Sequence, residues 1–82
     1  MVKLDYDDKF VRSFSKIKHK RFQEQIIKVI EKIKLYPEIG KPMKFARKGT
    51  REVYISPYRL SYSHIKEENK IIILNLYHKD EQ

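Results

Sequence analysis

Eighty-two residues without a cysteine, and with no apolar run longer than Ile71 to Leu74, exclude a disulfide scaffold, a thiolate metal site and a membrane-spanning helix. Nineteen Lys and Arg against eleven Asp and Glu give a formal net charge of +8. A partner should then be a polyanion, nucleic acid or acidic protein, unless the lysines simply solvate the surface.

The chain reads as one small domain, 1–82, with a modest core. Val2 to Tyr6 is a short strand with Val2, Leu4 and Tyr6 on one face. Asp7 is a good N-cap, and Asp8 adds negative charge at the positive end of the helix that follows. Phe10, Phe14 and Ile17 recur at helical spacing, so a first helix is expected over Asp8 to Ile17. Lys18-His19-Lys20 makes the corner. Phe22, Ile26, Val29, Ile30 and Ile33 then form the apolar stripe of a second helix, which Pro37 stops near Leu35 or Tyr36. Glu38 to Thr50 is a loop punctuated by Gly40, Pro42 and Gly49. Lys41, Lys44, Arg47, Lys48 and Arg51 place five positive charges in the eleven residues from Lys41 to Arg51, with no acid among them. That unmixed sign marks them as candidate phosphate contacts.

Three strands follow. Glu52 to Ile55 and Tyr58 to Ile65 flank Ser56-Pro57, and Lys70 to Tyr77 follows the polar break at Lys66 to Asn69. A tight turn at Ser56-Pro57 sets Tyr54 opposite Arg59, and a turn at Glu67-Glu68 sets Arg59 opposite Leu76. Alternation then gives a core face of Val53, Ile55, Leu60, Tyr62, Ile71 and Ile73. The second face carries Glu52, Tyr54, Arg59, Ser61, Ile72, Leu74, Leu76 and His78. The expected fold is α+β, in the order β-α-α-β-β-β, with a helical hairpin packed on one face of an antiparallel sheet. Which edge the first strand joins is open.

A strand and helical hairpin, a basic loop with Gly40-Lys41-Pro42, Tyr58-Arg59-Leu60-Ser61-Tyr62, an acidic turn and an aliphatic strand ending in Tyr77-His78-Lys79-Asp80 succeed one another along nearly the whole chain. In order and spacing this resembles the RelE/ParE superfamily of toxins from type II toxin–antitoxin systems, with an ending similar to the YoeB branch. The resemblance implies a RelE-like microbial RNase fold and a cytoplasmic toxin silenced by an acidic, RelB-like antitoxin. RelE-like members cut mRNA in the ribosomal A site, against 16S rRNA, with the RNA's own 2′-hydroxyl as nucleophile. ParE-like members instead inhibit DNA gyrase.

Carried over residue by residue, Arg59 takes the family's arginine position at the scissile phosphate, where a planar guanidinium suits developing charge. His78 matches the YoeB-like histidine and is the candidate general acid. Lys79 falls where RelE has a catalytic arginine. The chain departs from RelE at Glu52 and Tyr54, which stand where RelE has two lysines. Glu52 is a candidate base, and Tyr54 a candidate for stacking or phosphate positioning. The substrate-stacking tyrosine of RelE has no counterpart up to Gln82, and the catalytic glutamate of YoeB has none near Met43 and Lys44. No metal or cofactor is implied, because the histidines and carboxylates lack ligand spacing. Four readings stay open: nuclease, gyrase inhibitor, inactive member and an unrelated basic RNA-binding α+β domain. Arg59 is likewise open to a structural role, as half of an ion pair with Glu52. Ile72, Leu74 and Leu76 are either core or a groove for an antitoxin segment.

Overall fold

Asp7 opens the first helix as its sequence position predicts. Its carboxylate accepts the Lys9 N–H at 2.8 Å, and helix α1 runs over Asp8–Ser15 behind strand β1, Lys3–Tyr6. The computed structural model describes residues 2–43 and 49–81. Helix α2 spans Lys20–Leu35 and ends at Tyr36, just before Pro37. A two-residue strand β2, Lys41–Pro42, precedes β3 at Thr50–Ile55, β4 at Tyr58–Ile65 and β5 at Lys70–His78. Lys44, Arg47 and Lys48, three of the basic-loop candidates, lie outside the described residues.

The sheet order is β1-β5-β4-β3-β2. The α+β expectation stands, with one correction: the sheet is mixed, because β1 pairs parallel to β5, Leu4 against Ile71. Strand β2 was too short to show a period in the sequence. The helical hairpin covers one face. Phe10 and Ile17, with Ile26, Ile30 and Ile33 of α2, meet Ile55, Leu60, Tyr62, Ile71, Ile73 and Leu76 in one buried cluster. Side chains of this kind supply the main driving force for folding.

Tyr62 joins core and loop. Its ring is fully buried. Its hydroxyl donates to the Pro37 carbonyl at 2.6 Å and accepts the Gly40 N–H at 3.0 Å. A Cβ at Gly40 would stand 2.7 Å from that hydroxyl oxygen, so the approach requires glycine. Arg51 adds a second clamp, donating through Nη1 to the Gly40 carbonyl at 2.7 Å. Gly49, at φ +89°, turns the chain into β3 in the left-handed region that glycine tolerates best.

The β3–β4 hairpin has the expected register, with Ile55 opposite Tyr58 and Tyr54 opposite Arg59. The β4–β5 hairpin has it only in part. Ile65 faces Lys70 and Tyr62 faces Ile73, but Ser61 then faces Asn75. Leu74 is the extra residue of a β-bulge. The bulge leaves the Leu76 N–H facing the Asn75 side chain, whose Oδ1 accepts it at 2.8 Å. Beyond this point every residue of β5 changes face. Leu76 therefore lies in the core, 2 % exposed and opposite Leu60, and Arg59 faces Tyr77 in place of Leu76.

Candidate active site

The bulge decides what gathers on the sheet face turned away from the helices. Alternation along β3 sends Glu52 and Tyr54 to that face, and alternation along β4 sends Arg59 there. Past Leu74, β5 sends Tyr77 to it as well. Two of these side chains meet at the carboxylate of Glu52. Tyr77 Oη donates to Glu52 Oε2 at 2.9 Å, and Arg59 Nη1 lies 3.4 Å from Glu52 Oε1. The ion pair is long and half open to solvent, with the Arg59 side chain 36 % exposed. Such a pair holds a guanidinium in place without consuming its donor capacity, since five N–H groups are available. Tyr54, 53 % exposed and directly opposite Arg59, completes the cluster; its hydroxyl lies 3.4 Å from Ser56 Oγ.

Glu52, Tyr54 and Arg59 thus share one face, as alternation predicts. His78 does not join them. It pairs with Tyr58 on the helix side, and the two rings meet edge to face with centroids 5.6 Å apart. Its Nδ1 accepts the Asp80 N–H at 3.2 Å and lies 3.6 Å from Asp80 Oδ2. Lys79 follows at the strand end, exposed, with its own N–H bonded to the Pro57 carbonyl at 3.0 Å. Among the loop cations, Lys41 is exposed on β2, while Arg51 is tied to the Gly40 and Glu38 carbonyls.

Tyr77 is the residue that sequence reasoning left out. One signal for it existed. Asn75 interrupts an apolar run, and a strand asparagine that hydrogen-bonds its neighbouring backbone marks a local break in pairing. Shifting the register at Asn75 brings Tyr77 beside Arg59.

The arrangement has a clear chemical capacity. A carboxylate can accept a proton, a guanidinium can hold a phosphate bidentately, and two phenols can donate hydrogen bonds or stack on a base. All sit on an open sheet surface that an extended polymer can reach.

Comparison with known proteins bears on the family and the fold. Residues 4–82 match the family model described as ParE toxin of type II toxin-antitoxin system, parDE. A search of curated proteins finds no match. Among solved structures, the isolated RelE toxin of E. coli superposes with a TM-score of 0.81 at 20% identity, over 95% of this chain and 84% of that one. The YoeB/ParE toxin from Agrobacterium tumefaciens gives 0.81 at 17% identity, over 94% and 98%. The archaeal RelE–RelB complex from Pyrococcus horikoshii gives 0.77 at 15% identity, over 99% and 98%. At these identities the likeness concerns the fold.

Proposed function

Because the chain belongs to the ParE toxin family of type II toxin–antitoxin systems, within the RelE/ParE superfamily, we propose that it is a toxin that cuts mRNA on the ribosome. The observation that carries this reading is the meeting of Glu52, Arg59 and Tyr77 on one exposed face. Gyrase inhibition needs no acid–base set, whereas RNA cleavage by its own 2′-hydroxyl needs a base, a phosphate ligand and a proton for the leaving oxygen.

In this mechanism the scissile phosphate displaces the weak Arg59–Glu52 contact and takes the guanidinium. Glu52, released from Arg59 but still held by the Tyr77 hydroxyl, removes the proton from the 2′-oxygen. The 2′-oxygen forms a bond to phosphorus, and Arg59 stabilises the charge that builds on the phosphorane oxygens. The bond from phosphorus to the 5′-oxygen then breaks, leaving a 2′,3′-cyclic phosphate and a 5′-hydroxyl. Tyr54, an exposed O–H donor on this face, supplies the proton to the 5′-oxygen. Lys79 and Lys41 hold neighbouring phosphates, together with Lys44, Arg47 and Lys48. We assign His78 to substrate binding, since it faces away from the cluster. An acidic antitoxin is the natural silencing partner of a chain with charge +8. The RelE–RelB complex among the similar structures supports that pairing.

The second reading is gyrase inhibition. It is favoured by the family model, whose description names the ParE toxin. Cleavage on programmed ribosomes, mapped by primer extension, separates the two. A-site cuts by the wild type that disappear in Arg59→Ala bear out the nuclease. No cuts from folded wild-type protein, together with inhibition of gyrase supercoiling, would replace it with the second reading.

A further inference from the structure

The helix side of the same sheet end carries a second assembly that the cluster around Glu52 does not use. Four rings run in a row there, from the α1–α2 corner to the end of β5. His19 and Phe22 lie 5.0 Å apart by ring centroids, Phe22 and Tyr58 5.7 Å, and Tyr58 and His78 5.6 Å. Core packing accounts for the middle of the row, since Phe22 and Tyr58 pack against the buried cluster. It does not account for the ends. His19 is exposed, and the His78 side chain is 33 % exposed. Both imidazoles finish the row at the surface.

Charge around the His19 end of this row has one sign. Between Asp8 and Glu24 the sequence holds six Lys and Arg and no acid. Lys16, Lys18, Lys20 and Arg21 bracket His19, and all four are exposed. Lys16 lines a cavity of about 230 Å³ together with Ser13, Tyr58, His78 and, at its border with the other face, Tyr77. At the other end of the row Asp80 lies beside His78. Aromatic rings interleaved with unpaired basic side chains are the chemistry of single-stranded nucleic-acid binding: the rings stack on bases and the cations hold the phosphates between them.

We propose that the row from His19 to His78, with Lys16 and Lys20 beside it, binds single-stranded RNA on the helix side of the sheet as a subsite separate from the Glu52 cluster. Tyr58 and Arg59 are consecutive residues on opposite faces of β4, so one strand of RNA can pass around the Ser56-Pro57 end of the sheet and engage both sites. Lys79 sits beside that path. The inference rests on the nuclease reading only for the ligand being RNA; the subsite itself is a matter of binding and does not require cleavage.

The test is fluorescence anisotropy with the full chain and a labelled oligoadenylate hexamer, without ribosomes, across a salt series. A hexamer of abasic sugar-phosphate serves as the control. The wild type should bind the base-containing hexamer more tightly than the abasic one. His19→Ala should weaken only the base-containing complex, by about tenfold. Lys16→Gln and Lys20→Gln should weaken both complexes and each lower the salt slope by about one. Arg59→Ala should leave His19-dependent binding in place. Equal affinity for the two hexamers, or a His19→Ala variant that binds like wild type while remaining folded by circular dichroism, would overturn the subsite. Ribosomal cleavage is scored separately. Base-dependent hexamer binding that needs His19, without ribosomal cleavage, would sink the nuclease and keep this site; ribosomal cleavage by a wild type that binds both hexamers equally would do the reverse.

Discussion

Arg59 and Tyr77 face each other across β4 and β5, and both reach the same carboxylate, that of Glu52 on β3. Neither contact is local in sequence. The Arg59 contact follows from alternation in the β3–β4 hairpin, and the Tyr77 contact exists because one extra residue, Leu74, reverses the facing of the last part of β5. The positions of Tyr77 and Arg59 therefore lead to distinct consequences for activity.

Arg59→Ala should lower A-site cleavage by about a hundredfold or more, as expected when a ligand of developing phosphorane charge is removed. Tyr77→Phe keeps the ring but frees Glu52, and should cost of order tenfold in cleavage through loss of positioning. Primer extension on programmed ribosomes measures both. A Tyr77→Phe variant as active as wild type would confine the phenol to a structural role.

Glu52→Gln separates base from tether. The variant is isosteric but does not accept a proton at this pH, and it no longer pairs with Arg59 as a charge. If Glu52 is the base, cleavage falls by about a hundredfold or more, while RNA binding becomes tighter because Arg59 is released. Retained cleavage with tighter binding would leave Glu52 as a tether alone. Single-turnover cleavage and hexamer anisotropy on one preparation give both values.

The β-bulge predicts unequal stability costs for two leucines that unbroken alternation places on the same face. Leu76→Ala should cost about 2–5 kcal/mol, because the side chain is buried opposite Leu60. Leu74→Ala should cost clearly less, since Leu74 is only partly buried. Urea denaturation compares them directly. Equal losses would argue against the shifted register.

Tyr62→Phe removes a hydroxyl that satisfies the Pro37 carbonyl and the Gly40 N–H. The expected loss is about 1–3 kcal/mol for buried groups left without partners, with a fall in Tm of about 4–8 °C per kcal/mol in a chain of this size. The same phenol predicts an alkaline limb. Burial pushes its pKa above the ordinary value of 10.0. The folded state therefore holds the proton more tightly than the unfolded chain. That contribution to stability is complete below about pH 10 and declines as pH rises through the folded pKa. Tyr62→Phe should flatten the limb in a series of melting curves between pH 8 and 11.

Much of this layout was legible in the sequence, and the reasons are particular. Ser56-Pro57 allows a tight connection between two strand-forming runs, so Tyr54 opposite Arg59 followed from counting. Asp7 and Pro37 bounded the helical hairpin because a cap and a helix breaker act locally. The β4–β5 register also followed from its turn as far as Tyr62 and Ile73. It failed at Leu74 because an extra leucine within an apolar run leaves the hydrophobic pattern almost unchanged; the polar Asn75 was the sole mark of the break. The expected placing of His78 on the same face as Arg59 failed for that reason alone, and Tyr77 took its place. Parallel pairing of β1 with β5 was out of reach, because side-chain alternation carries no information about the direction of a neighbouring strand.

Leu74 also bears on how such chains diverge. Strand β5 is written in two frames, one for residues before the bulge and one for those after it, and the sheet reads both at once. A substitution in this strand alters one side chain. A single-codon deletion or insertion near Leu74 would instead exchange whole sets of side chains between the core and the outer surface. Aligning relatives through this strand without a gap would then equate a surface tyrosine with a buried leucine. Spatial superposition, more than column-by-column matching, is the way to ask which of them keep a phenol beside the arginine.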